Sequence, residues 1–484
     1  MHRFYPLLRV FGALLIGFSA CLAVPMALSW LVDDGAHSAF DEAFLATLAC
    51  GLALFLGLFR ESRELKVRDG FLLVALVWTV LPLFACLPFV LHLDMSFTDA
   101  YFEATSGLTA TGATVLSGLD AMPLSINFWR TFMHWIGGMG VVVLAVAILP
   151  LLGIGGRQMF KAETPGPMKE NKLTPRIAET AKGLWKVYLL LTTVCVLTLW
   201  LLGMEPWDAL MHAFSVMGLG GFSTKDASLG HFGSVAIEIA VMIFALLSGI
   251  NYATHFMALH GRSLAPYRRD PEAPYFLGIL AASILALTVY LLAAGVFEGF
   301  GQALRHVAFH SISVATSLGF ATTDYVLWPM FAQLWMLFLS SFVACSGSTG
   351  GGIKMIRAMI LYKQVYRELI HAMHPSALWP VRVRGAPVPS HILTAVLAFG
   401  FAYMCIIVVF TLVMSASGLD IVTAFSAVVA CLNNVGPGLN QVGPATTFAV
   451  LTDFQTWVCV FAMLLGRLEI FTLLVVLTPA FWRK

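Results

Sequence analysis

Four glycines in similar stretches of sequence have the residue type and spacing best suited to binding an ion. They are Gly112, Gly221, Gly319 and Gly436, and their stretches read DAYFEATSGLTATGAT, DALMHAFSVMGLGGFST, HVAFHSISVATSLGFATTD and TAFSAVVACLNNVGPGLN. Glycine lets the backbone turn its carbonyl groups at little steric cost, and a ring of carbonyl oxygens can replace the hydration shell of a monovalent cation. We therefore expect four loops whose carbonyls together bind such a cation.

Each of these glycines follows an apolar stretch that is too short to cross a membrane. A span needs roughly 20 apolar residues, whereas these stretches, near 98–111, 206–220, 303–318 and 420–435, are about half-length. Each lies between two longer apolar runs, and the arrangement recurs about every 100 residues, which is typical of repeat architecture. The sequence therefore predicts four units of span, half-helix, glycine-containing loop and span. Coincidental packing glycines are the alternative.

The start of each half-helix is predicted from the residue thirteen positions before the glycine. This residue is Asp99, Asp208, His306 or Thr423. Asp and Thr are favourable helix N-caps, so we expect the half-helices to begin there. A half-helix that stops at membrane depth must place its following loop against protein or water, and four of them around one axis bring the four loops together.

A further glycine-rich stretch, SGSTGGGIK from Ser346 to Lys354, interrupts an apolar run of membrane length. Glycine costs about 1 kcal/mol per residue in a helix interior, and unpaired backbone at membrane depth is tolerated only against protein or beside water. A packing kink is one interpretation, but a single Gly or Pro is enough for a kink. We therefore expect a polar, flexible hairpin that borders a water-filled cavity.

Arg467 stands inside the last apolar run, TWVCVFAMLLGRLEIFTLLVVL. A charge at mid-membrane costs roughly 3 kcal/mol or more and usually faces the protein interior or a water path. Arg467 is therefore a candidate electrostatic barrier or a contact of the glycine hairpin. The alternative is a structural ion pair or a clamp on backbone carbonyls. Glu469, two residues on, would point away from Arg467 on a continuous helix.

The composition places these features in a membrane protein. Of the 484 residues 59% are hydrophobic and 11% are charged, whereas a soluble domain carries about 25% charged residues. The eight cysteines have no CxxC or metal-ligand spacing and are interpreted as packing residues. Ten apolar runs are long enough to span a membrane, and they lie near 6–32, 40–59, 71–93, 124–152, 183–203, 233–258, 275–296, 328–362, 391–416 and 449–478.

The distribution of charge orients the chain. Most of the 28 Lys and Arg fall on one side of the predicted spans, including the segments Arg157–Lys186 and Tyr362–Arg384. The positive-inside rule makes that side and both termini cytoplasmic. Acidic residues such as Asp324 collect on the other side, where they either raise the local cation concentration or simply occupy the side that basic residues avoid.

The chain resembles the Trk/Ktr/HKT superfamily of cation transporters, and within it the TrkH-type potassium uptake subunits. The resemblance covers essentially the whole chain and rests on the stretches TATGAT, GLGGFST, ATSLGFATTD, NNVGPGLN, KAETPGPMKENKLTPRIAETAK, CSGSTGGGIK and GRLEIFTLL. It implies an all-α polytopic membrane protein with four pseudo-repeated units of helix, half-helix with pore loop, and helix around one central pore, plus two extra N-terminal spans.

The expected divisions follow from this architecture. They are two N-terminal transmembrane helices (1–69), pore unit 1 (70–156), an inner loop with pore unit 2 (157–262), pore unit 3 with a glycine gate loop at 345–353 and an inner segment (263–385), and pore unit 4 (386–484).

The resemblance also implies the site residues. The selectivity filter is expected from the carbonyls of Thr111, Gly112, Gly220, Gly221, Leu318, Gly319, Val435 and Gly436. The gate loop is expected at Gly347, Ser348, Thr349, Gly350, Gly351 and Gly352, with Arg467 as the pore barrier. Related HKT proteins that carry serine at the first filter glycine shift toward Na⁺, so Gly112 favours K⁺.

The expected function is K⁺ uptake across the bacterial inner membrane, with Rb⁺ also carried and Na⁺ carried more weakly. The resemblance implies a homodimer in membrane lipid and a cytosolic TrkA-type ring of nucleotide-binding regulatory subunits. The segments Arg157–Lys186 and Tyr362–Arg384 are candidate contacts of that ring, and the second is a candidate lever on the gate loop. No covalently bound cofactor, nucleic-acid partner or enzyme activity is expected.

Two other functional classes are alternatives to a passive K⁺ pore. A K⁺/H⁺ or K⁺/Na⁺ coupled symporter would need an intramembrane titratable carboxylate, for which Glu238 and Glu469 are the main candidates. A membrane-embedded enzyme has no HExxH or GxSxG motif in its support. Four histidines lie in apolar stretches of the sequence but share no metal-ligand spacing, so they are interpreted as packing residues. They are His134, His212, His255 and His310.

Overall fold

The protein is built almost wholly of helices. The structure is a computed structural model, and it describes residues 4–58, 67–140 and 177–483. Most of the inner loop Arg157–Lys186 and the second part of the predicted span 124–152 therefore lie outside the described residues. Within the described part, strand occurs only in a two-stranded antiparallel hairpin, β1 (Arg382–Val383) and β2 (Ala386–Pro387). The predicted all-α polytopic fold is confirmed.

The helices that precede the second unit comprise an N-terminal pair and the elements of unit 1. They are α1 (Tyr5–Val32), α2 (His37–Gly57), α3 (Val67–Ala85), α4 (Leu87–Leu93), the half-helix α5 (Phe97–Leu108) and α6 (Leu124–Met139). Unit 2 consists of α7 (Ile177–Leu201), the half-helix α8 (Pro206–Gly218), α9 (Val235–Gly249) and α10 (Tyr252–His260).

Unit 3 follows a short connecting helix, α11 (Ala265–Arg269). It consists of α12 (Ala273–Ala293), the half-helix α13 (Phe300–Ala315), α14 (Met330–Phe342), α15 (Met355–Met373) and the β-hairpin. Unit 4 consists of α16 (Ser390–Ala416), the half-helix α17 (Ile421–Leu432), α18 (Asp453–Arg467), α19 (Phe471–Leu477) and α20 (Pro479–Trp482).

Six helices of the described residues are long and apolar enough to cross a membrane, and two bent helix pairs raise that number to eight. The two other predicted spans are 124–152, which is described only in part, and 328–362, which consists of α14 and α15 with the glycine-rich loop between them. Many large apolar side chains on these helices are exposed, for example Phe401 and Val289. Such a surface is expected where lipid replaces water.

Two predicted spans are not the continuous helices that the sequence indicated. The run 233–258 bends by 95° between α9 and α10, and the run 449–478 bends by 114° between α18 and α19. At the second bend Glu469 and Ile470 have φ values of 52° and 60°. The assumption that Glu469 shares a helix with Arg467 is therefore wrong.

The predicted starts of the half-helices are also wrong. The N-cap residues are Ser96, Glu205, Gly299 and Asp420, so Asp99, Asp208 and Thr423 lie at the third helical position and His306 lies deeper. The physical reason is visible at two ends. The Ser96 hydroxyl accepts a hydrogen bond from the backbone N–H of Asp99 (3.1 Å), and the Asp420 carboxylate accepts one from that of Thr423 (3.0 Å).

The interior divides into two main apolar clusters. One joins the N-terminal helices, unit 1 and unit 4, with Phe11, Trp129 and Cys459 among its members. The other joins units 2 and 3 around residues such as Tyr188 and Phe276. The unit boundaries remain a prediction. The one after residue 69 falls in the first turn of α3, and the one after residue 385 falls in the turn of the hairpin.

Candidate ion-conduction site

All four half-helices end in the same way, as the repeat requires. The residue two positions before the filter glycine is left-handed in each unit, with φ of 52°, 53°, 63° and 52° at Ala110, Leu219, Ser317 and Asn434. The next residue donates its N–H to a carbonyl five residues earlier, over 2.7 to 3.0 Å: Thr111 to Ser106, Gly220 to Ser215, Leu318 to Ser313 and Val435 to Ala430. These are Schellman-type ends, which turn the chain sharply after each half-helix.

The four glycines predicted to form the filter come together in a closed ring. A side chain added at Gly112 would collide with the carbonyl oxygen of Gly220, one at Gly221 with that of Leu318, and one at Gly319 with that of Val435. The circle closes where a Cβ on Gly436 would lie 2.8 Å from the carbonyl oxygen of Thr111. The structure therefore brings all eight predicted filter residues together, in the order of the units along the chain.

Glycine is required in this ring for two independent reasons. The four residues have φ between 82° and 95°, a region that L side chains rarely adopt. The neighbouring carbonyl also leaves no room for a methyl group. Gly112, Gly221 and Gly319 nevertheless stay partly exposed, although the residues before them are buried. A solvent-accessible gap therefore remains at the glycines.

After the glycine, each chain runs back along its own half-helix, and we name this segment the outgoing leg. In units 2 and 3 a serine at the end of the half-helix holds the leg. The hydroxyl of Ser215 donates to the carbonyl of Phe222 (2.6 Å), and that of Ser313 donates to the carbonyl of Phe320 (2.7 Å). The legs therefore lie on the half-helix side of the ring.

A matched set of residues on the half-helices was missed by the sequence argument. Nine positions before the glycine stand Glu103, His212, His310 and Ala427, and the first three are fully buried and hydrogen-bond an outgoing leg. Aligning the four stretches on the glycine would have put them in one column. His212 and His310 were interpreted only as packing residues.

The other singled-out histidines and Asp324 have local partners. His134 lies against Gly220, and His255 hydrogen-bonds the hydroxyl of Tyr267 (2.8 Å). Asp324 caps a short helical turn by accepting a hydrogen bond from Val326 (3.0 Å). Within the described residues no cluster of three or more His, Cys, Asp or Glu is arranged to hold a metal ion.

The predicted gate loop lies against the ends of the half-helices, just before the ring. A Cβ on Gly351 would collide with the carbonyl oxygen of Asn433 at the end of α17, and one on Gly350 would lie 2.7 Å from that of Thr316 at the end of α13. The Thr349 hydroxyl donates to the carbonyl of Met217 in α8 (3.1 Å). The loop therefore contacts the half-helices of units 2, 3 and 4 on the side opposite the outgoing legs.

Arg467 contacts this loop through backbone carbonyls. Its guanidinium donates to the carbonyls of Thr349 (3.2 Å) and Gly138 (3.1 Å), and also to that of Gly137. One side chain of unit 4 thus joins the loop of unit 3 to helix α6 of unit 1. Glu469 pairs instead with Arg357 of α15, with 2.5 Å between Nη2 and Oε2.

One carboxylate holds both ends of the gate loop. Oε2 of Glu272, which precedes the span α12, accepts the N–H of Ser346 (2.8 Å) and that of Ile356 (3.0 Å). Burial raises the pKa of this carboxyl to about 7, although both of these N–H groups and Lys354 favour its ionised form. The carboxyl therefore titrates near neutral pH.

The unpredicted bend in unit 2 is explained by the same loop. Asn251 caps α10, and the free N–H of Tyr252 donates to the carbonyl of Gly347 (3.1 Å). The N–H of Cys345 donates in turn to the carbonyl of Gly249 (3.1 Å). Backbone groups released by the break are thus satisfied by the gate loop, which no local sequence pattern could indicate.

Comparison with known proteins agrees with this geometry. The TrkH family, described as a cation transport protein, matches residues 36–484. The chain is 46% identical to the Trk system potassium uptake protein TrkH of Salmonella typhimurium, with all of both chains covered. It is also 46% identical to TrkH of Halomonas elongata, over 99% of each chain. The crystal structure of the potassium transporter TrkH from Vibrio parahaemolyticus superposes with a TM-score of 0.89 at 44% identity, covering 99% of this chain and 100% of that one. The protein therefore belongs to the TrkH family of cation transport proteins, as the sequence motifs predicted.

Proposed function

We propose that the protein takes up K⁺ through the ring formed at Gly112, Gly221, Gly319 and Gly436. The observation that carries the proposal is the closed ring itself. In this ring the carbonyl oxygen of the residue before each of the four glycines lies against the glycine of a neighbouring unit. Carbonyl rings of this kind replace the hydration shell of K⁺. The similar proteins named as potassium uptake proteins support the choice of ion.

The half-helix ends strengthen this site. Each half-helix directs its C-terminus, which carries partial negative charge, at the ring. Flux down the membrane potential would then be driven by about 2.3 kcal/mol per charge for each 100 mV. Na⁺ would be carried more weakly than K⁺, and Rb⁺ would pass as well.

We propose that the glycine-rich loop 345–353 closes the path beside the ring and that Arg467 holds it closed. Contacts to three half-helices and to Arg467 support this role. The guanidinium also places a positive charge next to the path, where it would repel a cation. Opening then requires the loop to leave the half-helix ends.

A coupled symporter is the competing function. Its candidate carboxylates are both engaged in ion pairs, Glu238 with Arg305 (2.6 Å) and Glu469 with Arg357 (2.5 Å). Each of these carboxylates therefore already has a cationic partner within the protein. This pairing favours passive flux over proton coupling.

We also propose that the protein works as a homodimer in the bacterial inner membrane, with cytoplasmic termini and a TrkA-type cytosolic ring. The name Trk system of the similar proteins supports a multi-component assembly. Helix α15 begins directly after the gate loop and exposes apolar side chains such as Tyr362 and Leu369. Arg384 in the hairpin ties this region to the carbonyl of Asp270 (2.8 Å). A partner bound here could pull on the loop.

The deciding experiment measures ion flux in liposomes that contain only this chain, with K⁺, Rb⁺, Na⁺ or Li⁺ gradients at two pH values. K⁺ and Rb⁺ flux that exceeds Na⁺ flux and follows the potential without a proton gradient supports the pore. Flux that stops when the pH gradient is removed supports the symporter. For the lever, Arg384→Ala should weaken activation by the regulatory ring, and unchanged activation would contradict it.

A further inference from the structure

Glu103 and Arg130 form an ion pair whose two side chains are both fully buried. Arg130 Nε lies 2.8 Å from Glu103 Oε1. Glu103 belongs to half-helix α5, nine residues before Gly112, and Arg130 belongs to the following helix α6. Removing two charges from water costs several kcal/mol per ion, so such a pair is weak evidence for stability, and its best-attested use is to fix the arrangement of neighbouring elements.

Glu103 holds the outgoing leg of unit 1. The hydroxyl of Thr114 lies 3.0 Å from each carboxylate oxygen, and the N–H of Val115 donates to Oε2 over 3.1 Å. These two residues stand two and three positions after Gly112. The carboxylate therefore fixes the chain directly after the filter glycine.

Arg130 connects this leg to the next unit. One nitrogen of its guanidinium donates to the hydroxyl of Thr114 (3.2 Å), and another donates to the carbonyl of Ser223 (3.2 Å), two residues after Gly221. The guanidinium also lies 4.3 Å from the ring centre of Phe222, a favourable cation–π contact. A single planar group thus sets the distance between two adjacent legs.

The other units use weaker devices at the same place. His212 hydrogen-bonds the Ser223 hydroxyl (2.9 Å), and His310 accepts the N–H of Thr322 (3.2 Å). Unit 4 has Ala427 there, and its leg is held by the hydroxyl of Ser426, which accepts the N–H of Leu439 (2.9 Å). Among the four residues at the ninth position before the glycine only Glu103 is acidic, and in unit 2 the Asp208 carboxylate also accepts the hydroxyl of Thr224 (2.7 Å).

We propose that Glu103 and Arg130 are positioning residues that determine ion specificity. They hold the carbonyls of Thr111 and Gly220 at the spacing that suits dehydrated K⁺ and is too wide for Na⁺. Selectivity in carbonyl filters depends on the size of the site or on the number and field of its ligands, and both change when two legs move relative to each other. The inference rests on the proposed function.

The test is the ratio of K⁺ to Na⁺ flux in liposomes that contain the full chain. Glu103→Gln should lower this ratio about tenfold, because the guanidinium loses its charged partner and both legs shift. Thr114→Val keeps the ion pair but removes the hydroxyl through which the outgoing leg contacts it, and should lower the K⁺/Na⁺ flux ratio about threefold. Arg130→Lys keeps the charge but loses the planar guanidinium. It should lower the K⁺/Na⁺ flux ratio by a factor between those of the other two variants.

Glu238→Gln is the matched control, because it breaks the ion pair between α9 and Arg305 of half-helix α13. Within the described residues neither of these side chains hydrogen-bonds an outgoing leg. Its flux ratio should equal that of the parent chain. Thermal stability of each purified variant separates folding defects from selectivity, and Thr114→Val serves if Glu103→Gln does not fold. A parent ratio near one would overturn the proposed function itself. This inference alone would be overturned if the parent chain were selective for K⁺ and the Glu103→Gln and Thr114→Val variants were equally selective. It would also be overturned if the control variant lost as much of its K⁺/Na⁺ flux ratio as they do.

Discussion

The filter ring and the gate loop are both glycine-rich backbone at membrane depth, yet they are held in opposite ways. The ring repeats one arrangement four times, with the same left-handed residue and the same hydrogen bond at every half-helix end. The gate loop is held by unlike contacts that each occur once, from Glu272, Arg467 and Thr349. We therefore expect the ring to be rigid, and we propose that the loop, which is held by a few separable contacts, can move.

The largest effect is expected from breaking the ring. Gly221→Ala would place a methyl group against the carbonyl of Leu318 at a φ of 83°, a strain of roughly 1–3 kcal/mol. We expect K⁺ flux in liposomes to fall about a hundredfold, because the ligands lose their geometry. Gly278→Ala on the exposed side of α12, where nothing lies within 4 Å, is the control and should keep full flux. Normal K⁺ flux through Gly221→Ala would contradict the filter.

The next effect is expected from releasing the gate loop at its charged contact. Arg467→Gln shortens the clamp and removes the positive charge, so we expect K⁺ flux without the regulatory ring to rise about tenfold, the value of about one charged hydrogen bond. Flux of the purified chain in liposomes checks this. Arg305→Gln, which removes an arginine far from the loop, should leave K⁺ flux unchanged. A fall in flux for Arg467→Gln with intact folding would argue against a barrier.

A smaller rise is expected when the two ends of the loop lose their common acceptor. Glu272→Ala frees the N–H groups of Ser346 and Ile356, and should raise K⁺ flux about threefold. Glu272→Gln keeps an oxygen that can accept both hydrogen bonds and removes the buried charge, so it should not raise K⁺ flux at pH 8. Equal effects of the two substitutions would show that these hydrogen bonds do not hold the loop.

The smallest effect concerns pH. The carboxyl of Glu272 has a pKa raised to about 7 while it is buried under the loop, and exposure on opening would return it toward the ordinary value of about 4.3. Between these values the closed state binds more protons, so acidification stabilises the closed loop. K⁺ flux should therefore fall about twofold from pH 8 to pH 7. Glu272→Gln should abolish this dependence, and a rise in flux on acidification would contradict the sign.

How well the sequence predicted each region follows from the same contrast. The four glycines of the ring could be predicted because four copies of a pattern are visible in one chain, and the resemblance to the Trk/Ktr/HKT proteins added the residues before them, such as Thr111 and Val435. The partners of the gate loop could not, because Glu272 and Gly249 are remote in sequence and unrelated by the repeat. The bend at Asn251 was missed for that reason, because the backbone N–H of Tyr252 that the bend frees donates to the carbonyl of the remote Gly347.

Local capping explains the remaining errors. The aligned position thirteen residues before the glycine is the third helical residue in three half-helices and lies deeper in the third unit, because residues such as Ser96 and Asp420 cap the helices earlier. Arg467 was expected near the loop, and its actual partners are carbonyls of Thr349, Gly137 and Gly138, whose proximity depends on how units 1, 3 and 4 pack.

The ring is encoded in a single chain, and this has a genetic consequence. In a channel of four identical subunits, one codon change alters every quadrant at once. Here a substitution near Gly112 alters one quadrant, and the ninth position before the glycine already holds three different residue types among the four units. Selection can therefore adjust this ring one quarter at a time, and a mutation intolerable in four copies can be sampled in one.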